Sequence, residues 1–389
     1  MSTYNNIEAP TQWMEKPPSR SNRSKWIVIA SIVGLLALIG VGVGVGVSLS
    51  QKNKSGSSRA SSSSNSSSVT QSDPNDPSSF VKDSRLKQSF YGLAYTPAGS
   101  QLPDCGNNLS DIITDMQLMS QLTTRIRLYG ADCNQSALVL DAIQRTKVNL
   151  TVWLGNYPVP TNESVYTRQR DLILDALQTY GTDHVGGVTV GNEFMLNYLS
   201  ANGGGDDPNS SIGNTGAAIL IGNIQDTISK IDALGLDKHI PVGTADAGSY
   251  FNTEVLEAVE YGMSNVHPWF ANVSVETAAG WTAEFFDTWN LEPAAKLSNT
   301  PKMYIAETGW PTKSSDVSNE SNGPSTASEA NLQTFLDTFV CQANTNGTGY
   351  FFFEFFDEQW KDVEFGGVEG WWGLFNANKT LKNIEIPSC

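Results

Sequence analysis

Two glutamates stand where an acidic side chain is costly unless it has a partner or a task. Glu193 closes the apolar run VGGVTVGNE, and Glu307 lies near the end of the run KMYIAETGW. Buried carboxylates of this kind are candidates for perturbed pKa values. Cleavage of a glycosidic bond with retention needs two of them about 5 to 5.5 Å apart, one protonated and one ionised. The alternative is that each glutamate pairs with an Arg or Lys inside the protein.

Eight apolar runs of strand length predict the elements that position these acids. Longer amphipathic segments separate the runs, with helical patterns that begin near Leu109 and Thr215. Eight β/α units predict an α/β fold, the (β/α)8 TIM barrel, while an open doubly wound sheet gives a similar pattern. The runs are residues 90–97, 124–130, 149–157, 185–193, 239–247, 265–270, 302–310 and 350–358.

The positions of the polar residues favour the closed barrel over the open sheet. In barrels the C-terminal ends of the strands collect the catalytic groups, and strands four and seven can face each other across the mouth. We therefore expect one mouth formed by the polar and aromatic residues that end the runs. They are Tyr95, Arg127, Tyr129, Asn156, Tyr157, Asn192, Glu193, Asp246, His267, Trp269, Glu307, Trp310, Glu354 and Glu358.

Residues 26–47 are apolar and uncharged, long enough to cross a hydrocarbon core of about 30 Å as a helix. A cleaved signal peptide is the alternative, but a long polar stretch precedes the segment and no A-x-A-type site follows it. We therefore predict a signal-anchor helix over 26–47 after a cytoplasmic tail, 1–25. A Ser-rich disordered linker, 48–82, then leads to the barrel, 83–389.

Nine N-x-[ST] sequons beyond residue 80, and four cysteines that all follow the apolar span, favour a lumenal or extracellular barrel. Three disulfide pairings are possible, and we expect Cys105 with Cys133 and Cys341 with Cys389 because each pair joins neighbouring parts of the fold. The net charge of −16 argues against a nucleic-acid partner. The three histidines lack metal-ligand spacing, so we expect neither a metal nor a cofactor.

The motifs GVTVGNE, IAETGWP and YGLAYTPAG resemble glycoside hydrolase family 17, in particular its fungal β-1,3-glucanase branch, over roughly Phe90 to Cys389. The resemblance implies a retaining enzyme that cleaves internal β-1,3-glucosidic bonds of cell-wall β-glucan, by hydrolysis or transglycosylation. It also implies that Glu193 is the general acid/base and Glu307 the nucleophile. With the predicted anchor, the chain would be a type II protein of the cell membrane whose catalytic domain faces the wall.

Further site residues follow from the same resemblance and from the mouth. Asn192 matches the asparagine that holds the sugar 2-hydroxyl, and Glu358 with Lys361 matches a Glu-x-x-Lys after strand eight; a solvated surface pair is the alternative for those two. Arg127 and Tyr129 are expected to orient Glu307. The remaining expected substrate contacts are Tyr95, His267, Trp269 and Trp310, the two tryptophans against glucose. The alternative function is a non-catalytic β-glucan-binding or wall-sensing membrane protein.

Overall fold

The computed structural model of the protein describes residues 69–73 and 75–389. Within these ranges, no helix combines the length and the apolar character needed to cross a membrane. The predicted cytoplasmic tail, the predicted signal-anchor helix at 26–47 and most of the predicted linker lie outside the described residues.

Eight parallel strands form a closed barrel in chain order. β1 and β8 close it, with Gly92 paired to Phe351 and Leu93 to Phe352. In an open sheet the two edge strands each lack a partner on one side. The pairing of β1 with β8 therefore excludes the doubly wound alternative and confirms the (β/α)8 barrel. The strands are β1 Gly92–Ala94, β2 Arg125–Arg127, β3 Thr151–Asn156, β4 Val185–Asn192, β5 Val242–Ala247, β6 Tyr261–Asn265, β7 Lys302–Thr308 and β8 Tyr350–Phe352.

The prediction of the sixth strand was wrong in position. β6 ends at Asn265, the residue at which the predicted run 265–270 begins. The sequence YGMSN contains a glycine and two polar residues, which mask its strand character, whereas the more apolar VHPWF includes Pro268, which lacks the backbone donor that a central strand needs. VHPWF instead forms a loop at the mouth of the barrel, and it carries His267.

Helices surround the barrel, and polar side chains fix the start of several of them. Asn108 accepts a hydrogen bond from the backbone N–H of Asp111, and Ser210 accepts one from Gly213. Within the described ranges the α-helices are α1 Leu109–Met119, α2 Gln135–Thr146, α3 Glu163–Tyr180, α4 Phe194–Ala201, α5 Ser211–Asp232, α6 Thr253–Glu257, α7 Val275–Phe286, α8 Glu292–Ala294, α9 Glu329–Thr345 and α10 Gln359–Phe365. A π-helical segment, Asp287–Leu291, continues α7.

Large side chains fill the barrel interior below the mouth. Trp153, Tyr261, Tyr304 and Phe351 form one buried cluster, and they come from the early or middle positions of their strands. Gly243 makes room for this cluster, because a Cβ at this position would lie 2.3 Å from the Tyr261 ring. With the interior filled, only the upper ends of the strands can offer side chains to a ligand.

The segment before the barrel contacts it earlier than the predicted linker boundary implies. Gln71 and Phe80 form an antiparallel bridge, and the side chain of Gln117 on α1 donates a 2.7 Å hydrogen bond to the carbonyl of Pro77. Contacts with the barrel therefore begin within residues that the prediction assigned to the linker 48–82.

Both expected disulfides are present. Cys105 is bonded to Cys133, and Cys341 to Cys389. The first joins the loop after β1 to the loop after β2, and the second ties the last residue to α9. These bonds confirm the pairing predicted from neighbouring parts of the fold.

Candidate active site

A cavity of about 780 Å³ opens at the C-terminal ends of the strands. Six of the predicted site residues line it: Tyr129, Asn192, Glu193, His267, Glu307 and Lys361. They come from the ends of β4 and β7, from the loops after β2 and β6, and, for Lys361, from α10 after β8. The cavity is therefore the mouth that the sequence predicts.

Glu193 is the first residue after β4, and its backbone adopts a left-handed conformation with φ 56°. Such backbone angles are uncommon for a residue with a side chain and often mark functional sites. Asn265, at the end of β6, donates a hydrogen bond through Nδ2 to Glu193 Oε1 at 3.0 Å. Burial, followed by the negative charge of Glu307, outweighs this bond and raises the pKa of Glu193. Glu193 therefore keeps its proton to a higher pH than an exposed glutamate.

Glu307 lies on β7, is 6% exposed, and has a different partner for each carboxylate oxygen. Arg127 Nη1 donates to Oε1 at 3.0 Å, and His267 Nε2 lies 3.0 Å from Oε2. Burial alone would raise the pKa of Glu307, but the hydrogen bond with His267 and the charge of Arg127 outweigh it and lower the pKa to about 2. Glu307 thus forms the ion pair with an interior arginine that was the alternative to a catalytic role, but its side chain also lines the cavity.

The surroundings of Glu193 and Glu307 shift the pKa values of the two acids in opposite directions. The pKa of Glu193 is raised and that of Glu307 is lowered, and each contributes to the electrostatic environment of the shared cavity. Pairs of carboxyl groups whose environments separate their pKa values divide the roles of acid and base between them. The arrangement supplies one carboxyl that holds a proton and one that stays ionised.

Arg127 connects the two glutamate-bearing strands. Its side chain is 1% exposed, and Nη2 donates to Asn192 Oδ1 at 2.6 Å while Nη1 reaches Glu307. The guanidinium also lies over the ring of Tyr129, 4.4 Å from its centroid. The Tyr129 hydroxyl is buried beside Glu307, and burial together with the charge of Glu307 raises its pKa.

Three aromatic rings hold the imidazole of His267. The ring centroids of Trp372, Phe353 and Phe270 lie 5.0, 5.3 and 5.8 Å from that of His267, each in an edge-on arrangement. Edge-on contacts of this kind fix the plane of a ring. They leave Nε2 beside Glu307.

Three predicted substrate contacts lie away from the cavity. Tyr95 is buried directly after β1, and its hydroxyl donates a 2.7 Å hydrogen bond to Asp115 on α1. Trp269 and Trp310 pack edge to face with ring centroids 5.3 Å apart, and Trp310 is fully buried. Both tryptophans follow strand ends, but their loops turn the rings back onto the helical layer, where Trp310 contacts Phe335 of α9. Their positions after strand ends in the sequence did not predict that the two rings would point away from the cavity.

Glu358 and Lys361 are a buried ion pair, so the solvated surface alternative is wrong. Glu358 is 3% exposed, and the ammonium of Lys361 lies 3.1 Å from it and 2.8 Å from Glu354. Both carboxylates favour the charged form of Lys361 and raise its pKa against the effect of burial. Lys361 lines the cavity, whereas Glu358 lies behind it and accepts a hydrogen bond from the indole of Trp360.

A buried carboxyl group in the cavity, besides Glu193 and Glu307, was missed from the sequence. Glu369, in the loop after α10, lines the cavity, and burial raises its pKa to about 7, with opposing contributions from Lys361 and Glu193. Its only sequence signal is an acid before the pair Trp371–Trp372, outside every strand-like run. Sequence reasoning also missed Asn265, because the sixth strand was placed too late.

Aromatic residues other than the two predicted tryptophans line the cavity. They come mainly from the loops after the strands and from α7, and they give the cavity flat apolar walls that suit the faces of sugar rings. They are Tyr129, Tyr157, Tyr250, Phe270, Trp281, Phe285, Phe353, Trp360, Phe365 and Trp372.

Known structures share this architecture. A beta-1,3-glucanosyltransferase of Rhizomucor miehei, solved as an active-site mutant with laminaritriose, matches 78% of this chain and 99% of its own, with a TM-score of 0.61 and 23% identity. An endo-laminarinase from Formosa matches 75% of this chain and 84% of its own, with a TM-score of 0.59 and 18% identity. At these identities the similarity concerns the fold.

Curated relatives found by sequence have higher identity to this chain than these two structures. A glucan endo-1,3-beta-glucosidase, btgC, of Emericella nidulans is 35% identical over 321 residues, which cover 78% of this chain and 47% of the relative. A probable glucan endo-1,3-beta-glucosidase, btgC, of Aspergillus terreus is 34% identical and covers 82% of this chain and 48% of the relative. The chain thus spans about half the length of these curated relatives.

The sequence profile described as the BtgE/BtgC glycoside hydrolase domain matches residues 92–373. That range runs from the first residue of β1 to the loop after α10 and so includes every strand of the barrel. It also includes both candidate glutamates and the surrounding cavity residues. The chain therefore belongs to the BtgE/BtgC glycoside hydrolase domain family.

Proposed function

We propose that the chain is a retaining glycoside hydrolase that cleaves internal β-1,3-glucosidic bonds of cell-wall β-glucan. The observation that carries the proposal is the pair Glu193 and Glu307, which share one cavity and have pKa values shifted in opposite directions. The activity named for the btgC relatives, which are about twice as long as this chain, supports the same substrate.

In the first step the protonated carboxyl of Glu193 gives its proton to the glycosidic oxygen as that oxygen leaves the anomeric carbon. The ionised carboxylate of Glu307 attacks the same carbon and forms a glycosyl ester. One C–O bond breaks and another forms, so the departing glucan takes the proton of Glu193. The low pKa of Glu307, about 2, keeps the nucleophile ionised throughout the ordinary pH range.

In the second step Glu193 acts as a base. Esterification removes the negative charge of Glu307, which is the second largest cause of the raised pKa of Glu193. The pKa of Glu193 therefore falls in the intermediate, and its carboxylate can take a proton from an incoming water molecule. The water oxygen bonds to the anomeric carbon as the ester bond to Glu307 breaks, which restores the carboxylate of Glu307. When a sugar hydroxyl replaces water, the same step transfers the glycosyl group and gives a longer glucan.

The neighbouring residues act on this pair in separate ways. Arg127 and His267 hold Glu307 in place and keep it ionised through contacts of 3.0 Å each. Asn192, fixed by Arg127, lies beside the acid and is suited to a hydrogen bond with the sugar 2-hydroxyl. Tyr129 and Lys361 also line the cavity, Tyr129 beside Glu307 and Lys361 paired with Glu354 and Glu358.

The same proposal includes the location of the enzyme. An anchor at residues 26–47, with a cytoplasmic tail 1–25 and a linker 48–82, would tether the barrel outside the membrane beside the wall. Two disulfides support an oxidising compartment for the barrel. The nine sequons beyond residue 80 support the same side of the membrane.

The test is incubation of the purified full-length chain with linear β-1,3-glucan. New reducing ends indicate hydrolysis, and products longer than the substrate indicate transfer. Glu307→Gln should abolish both, and Glu193→Gln should slow cleavage by about 10²- to 10⁴-fold. Binding of glucan by the wild-type chain with neither product would contradict the proposal and support a wall-sensing protein.

A further inference from the structure

Three aromatic rings on one side of α7 and its π-helical extension form a row that leads out of the cavity. The rings of Trp281 and Phe285 lie 5.0 Å apart with a 29° angle between their planes, and those of Phe285 and Trp289 lie 6.0 Å apart at 23°. Residues four apart on a helix are neighbours on its surface, so the row follows the helix axis. We call these three residues the α7 aromatic row.

The row joins the cavity to the outer surface. Trp281 and Phe285 line the cavity, whereas Trp289 is 43% exposed. A single exposed tryptophan is common, but Trp289 continues the apolar surface of the cavity without a break, and contiguous apolar surface of this kind marks binding sites. The outer ring of the row therefore continues a cavity wall that already suits sugar faces.

The backbone around Trp289 is held firmly. The neighbouring Asn290 is fully buried, and its Nδ2 donates to the carbonyl of Gly248 at 2.7 Å while its Oδ1 accepts from Ser264 at 2.9 Å. Trp289 itself lies in the π-helical segment, a feature frequent at functional sites. A fixed exposed ring loses little conformational freedom when it binds a ligand.

The charges beside the row indicate which ligand it fits. Glu284 and Asp287 are exposed on the same helical segment, so the surroundings of the row carry negative charge. An anionic polymer or an anionic membrane surface would be repelled there. An uncharged polysaccharide would meet apolar rings for its sugar faces without this repulsion.

We propose that the α7 aromatic row, with Trp289 as its outer ring, binds the part of a long uncharged β-glucan chain that extends beyond the cavity. The inference rests on the proposed function, because it takes the occupant of the cavity to be β-1,3-glucan. It adds a binding surface that favours polymers over short oligosaccharides.

The experiment compares two substrates on the full-length chain: a long linear β-1,3-glucan and laminaritetraose, which is too short to reach beyond the cavity. Trp289→Ala should raise KM for the polymer by about two- to tenfold and leave kcat/KM for laminaritetraose unchanged. Trp289→Phe, which keeps a ring, should restore most of the polymer affinity. Leu291→Ala is the matched control, since Leu291 is 40% exposed two residues further on.

A second measurement separates this inference from the proposed function. Sedimentation of the chain with insoluble β-1,3-glucan, in a Glu307→Gln background, reports binding without turnover. Weaker sedimentation of the Trp289→Ala chain supports the row even where the wild-type chain cleaves nothing. The inference would be overturned if Trp289→Ala left both the sedimentation and the KM for the polymer unchanged. It would also be overturned if Trp289→Ala lowered kcat/KM for laminaritetraose as much as for the polymer. A changed oligomeric state in Trp289→Ala would also overturn it, because the ring would then contact a second copy.

Discussion

The guanidinium of Arg127 lies between the two strands that carry the candidate acids, 3.0 Å from Glu307 Oε1 and 2.6 Å from Asn192 Oδ1. It is 1% exposed, so little solvent screens its charge from Glu307. One buried cation thereby positions the proposed nucleophile and the asparagine beside the proposed acid. The first two predictions follow from the partners of Glu307.

Arg127→Met removes the buried positive charge and should raise the pKa of Glu307 from about 2 toward the ordinary 4.5. A carboxylate with a raised pKa protonates at a higher pH, so the acid limb of kcat/KM should move upward. Each unit of movement corresponds to about 1.4 kcal/mol of lost interaction.

The matched control for this change is Arg125→Met, two residues earlier on the same strand, where the guanidinium contacts Tyr91 instead of Glu307. Thermal unfolding of both variants checks that each is folded at the assay temperature. An acid limb that stays in place in folded Arg127→Met would contradict the assigned role of Arg127.

His267→Ala removes the second partner of Glu307. Hydrogen bonds to charged groups contribute about 1.5–3 kcal/mol, so kcat/KM should fall roughly 10- to 100-fold. His267→Gln places an amide donor near the same oxygen and should recover part of the loss. A loss of equal size in both variants would indicate that His267 acts through its contact with Trp372 and not through Glu307.

Glu369→Gln removes a carboxyl group whose pKa is raised to about 7, mainly by burial. Glu369 is therefore protonated in acid and gains its charge inside the cavity near pH 7, so the kcat/KM profile of the wild-type chain should bend there. The bend should disappear in Glu369→Gln and remain in Glu364→Gln, the control at an exposed residue that also lines the cavity. The same profile in Glu369→Gln and in the wild-type chain would contradict the raised pKa.

Lys382 and Asp357 form a buried pair at 2.6 Å, and Lys382 also donates to Thr312. Lys382→Met leaves the carboxylate of Asp357 without its cation and should lower the free energy of unfolding by about 3–5 kcal/mol. The double variant Lys382→Met/Asp357→Leu should be less destabilised than the single one. Chemical denaturation of the three chains measures the difference, and equal stability of single and double variants would exclude a coupled pair.

Much of the architecture follows from pattern alone. Parallel strands buried on both faces give short apolar runs, and eight of them with intervening helices are typical of a barrel or of an open sheet; the polar residues at the run ends favoured the barrel. Polar residues at the ends of such runs are expected at the mouth, which is why Glu193, Glu307 and Asn192 were found from the sequence, although the same rule wrongly placed Tyr95 there. The disulfide pairing followed from the same topology.

The site features that the sequence did not predict depend mainly on the geometry of loops. The periodicity of apolar residues and the composition of the chain do not encode that geometry. Trp269 and Trp310 follow strand ends, but their direction is set by loop turns that put both rings into the core. Glu369 lies in an irregular loop and reaches the cavity only because α10 and the segment after it fold over the mouth. The sixth strand was misplaced because Gly262 and Ser264 weaken its apolar signal.

The central claim is that Glu307 forms a covalent bond to the sugar. The most direct measurement uses a β-1,3-linked 2-deoxy-2-fluoro glucosyl donor with an activated leaving group, since the fluorine slows the second step more than the activated first step. Peptide mass mapping of the treated full-length chain should then locate the added glycosyl mass on Glu307. Attachment to another residue, or turnover of glucan with inverted anomeric configuration and no labelled peptide, would contradict the account.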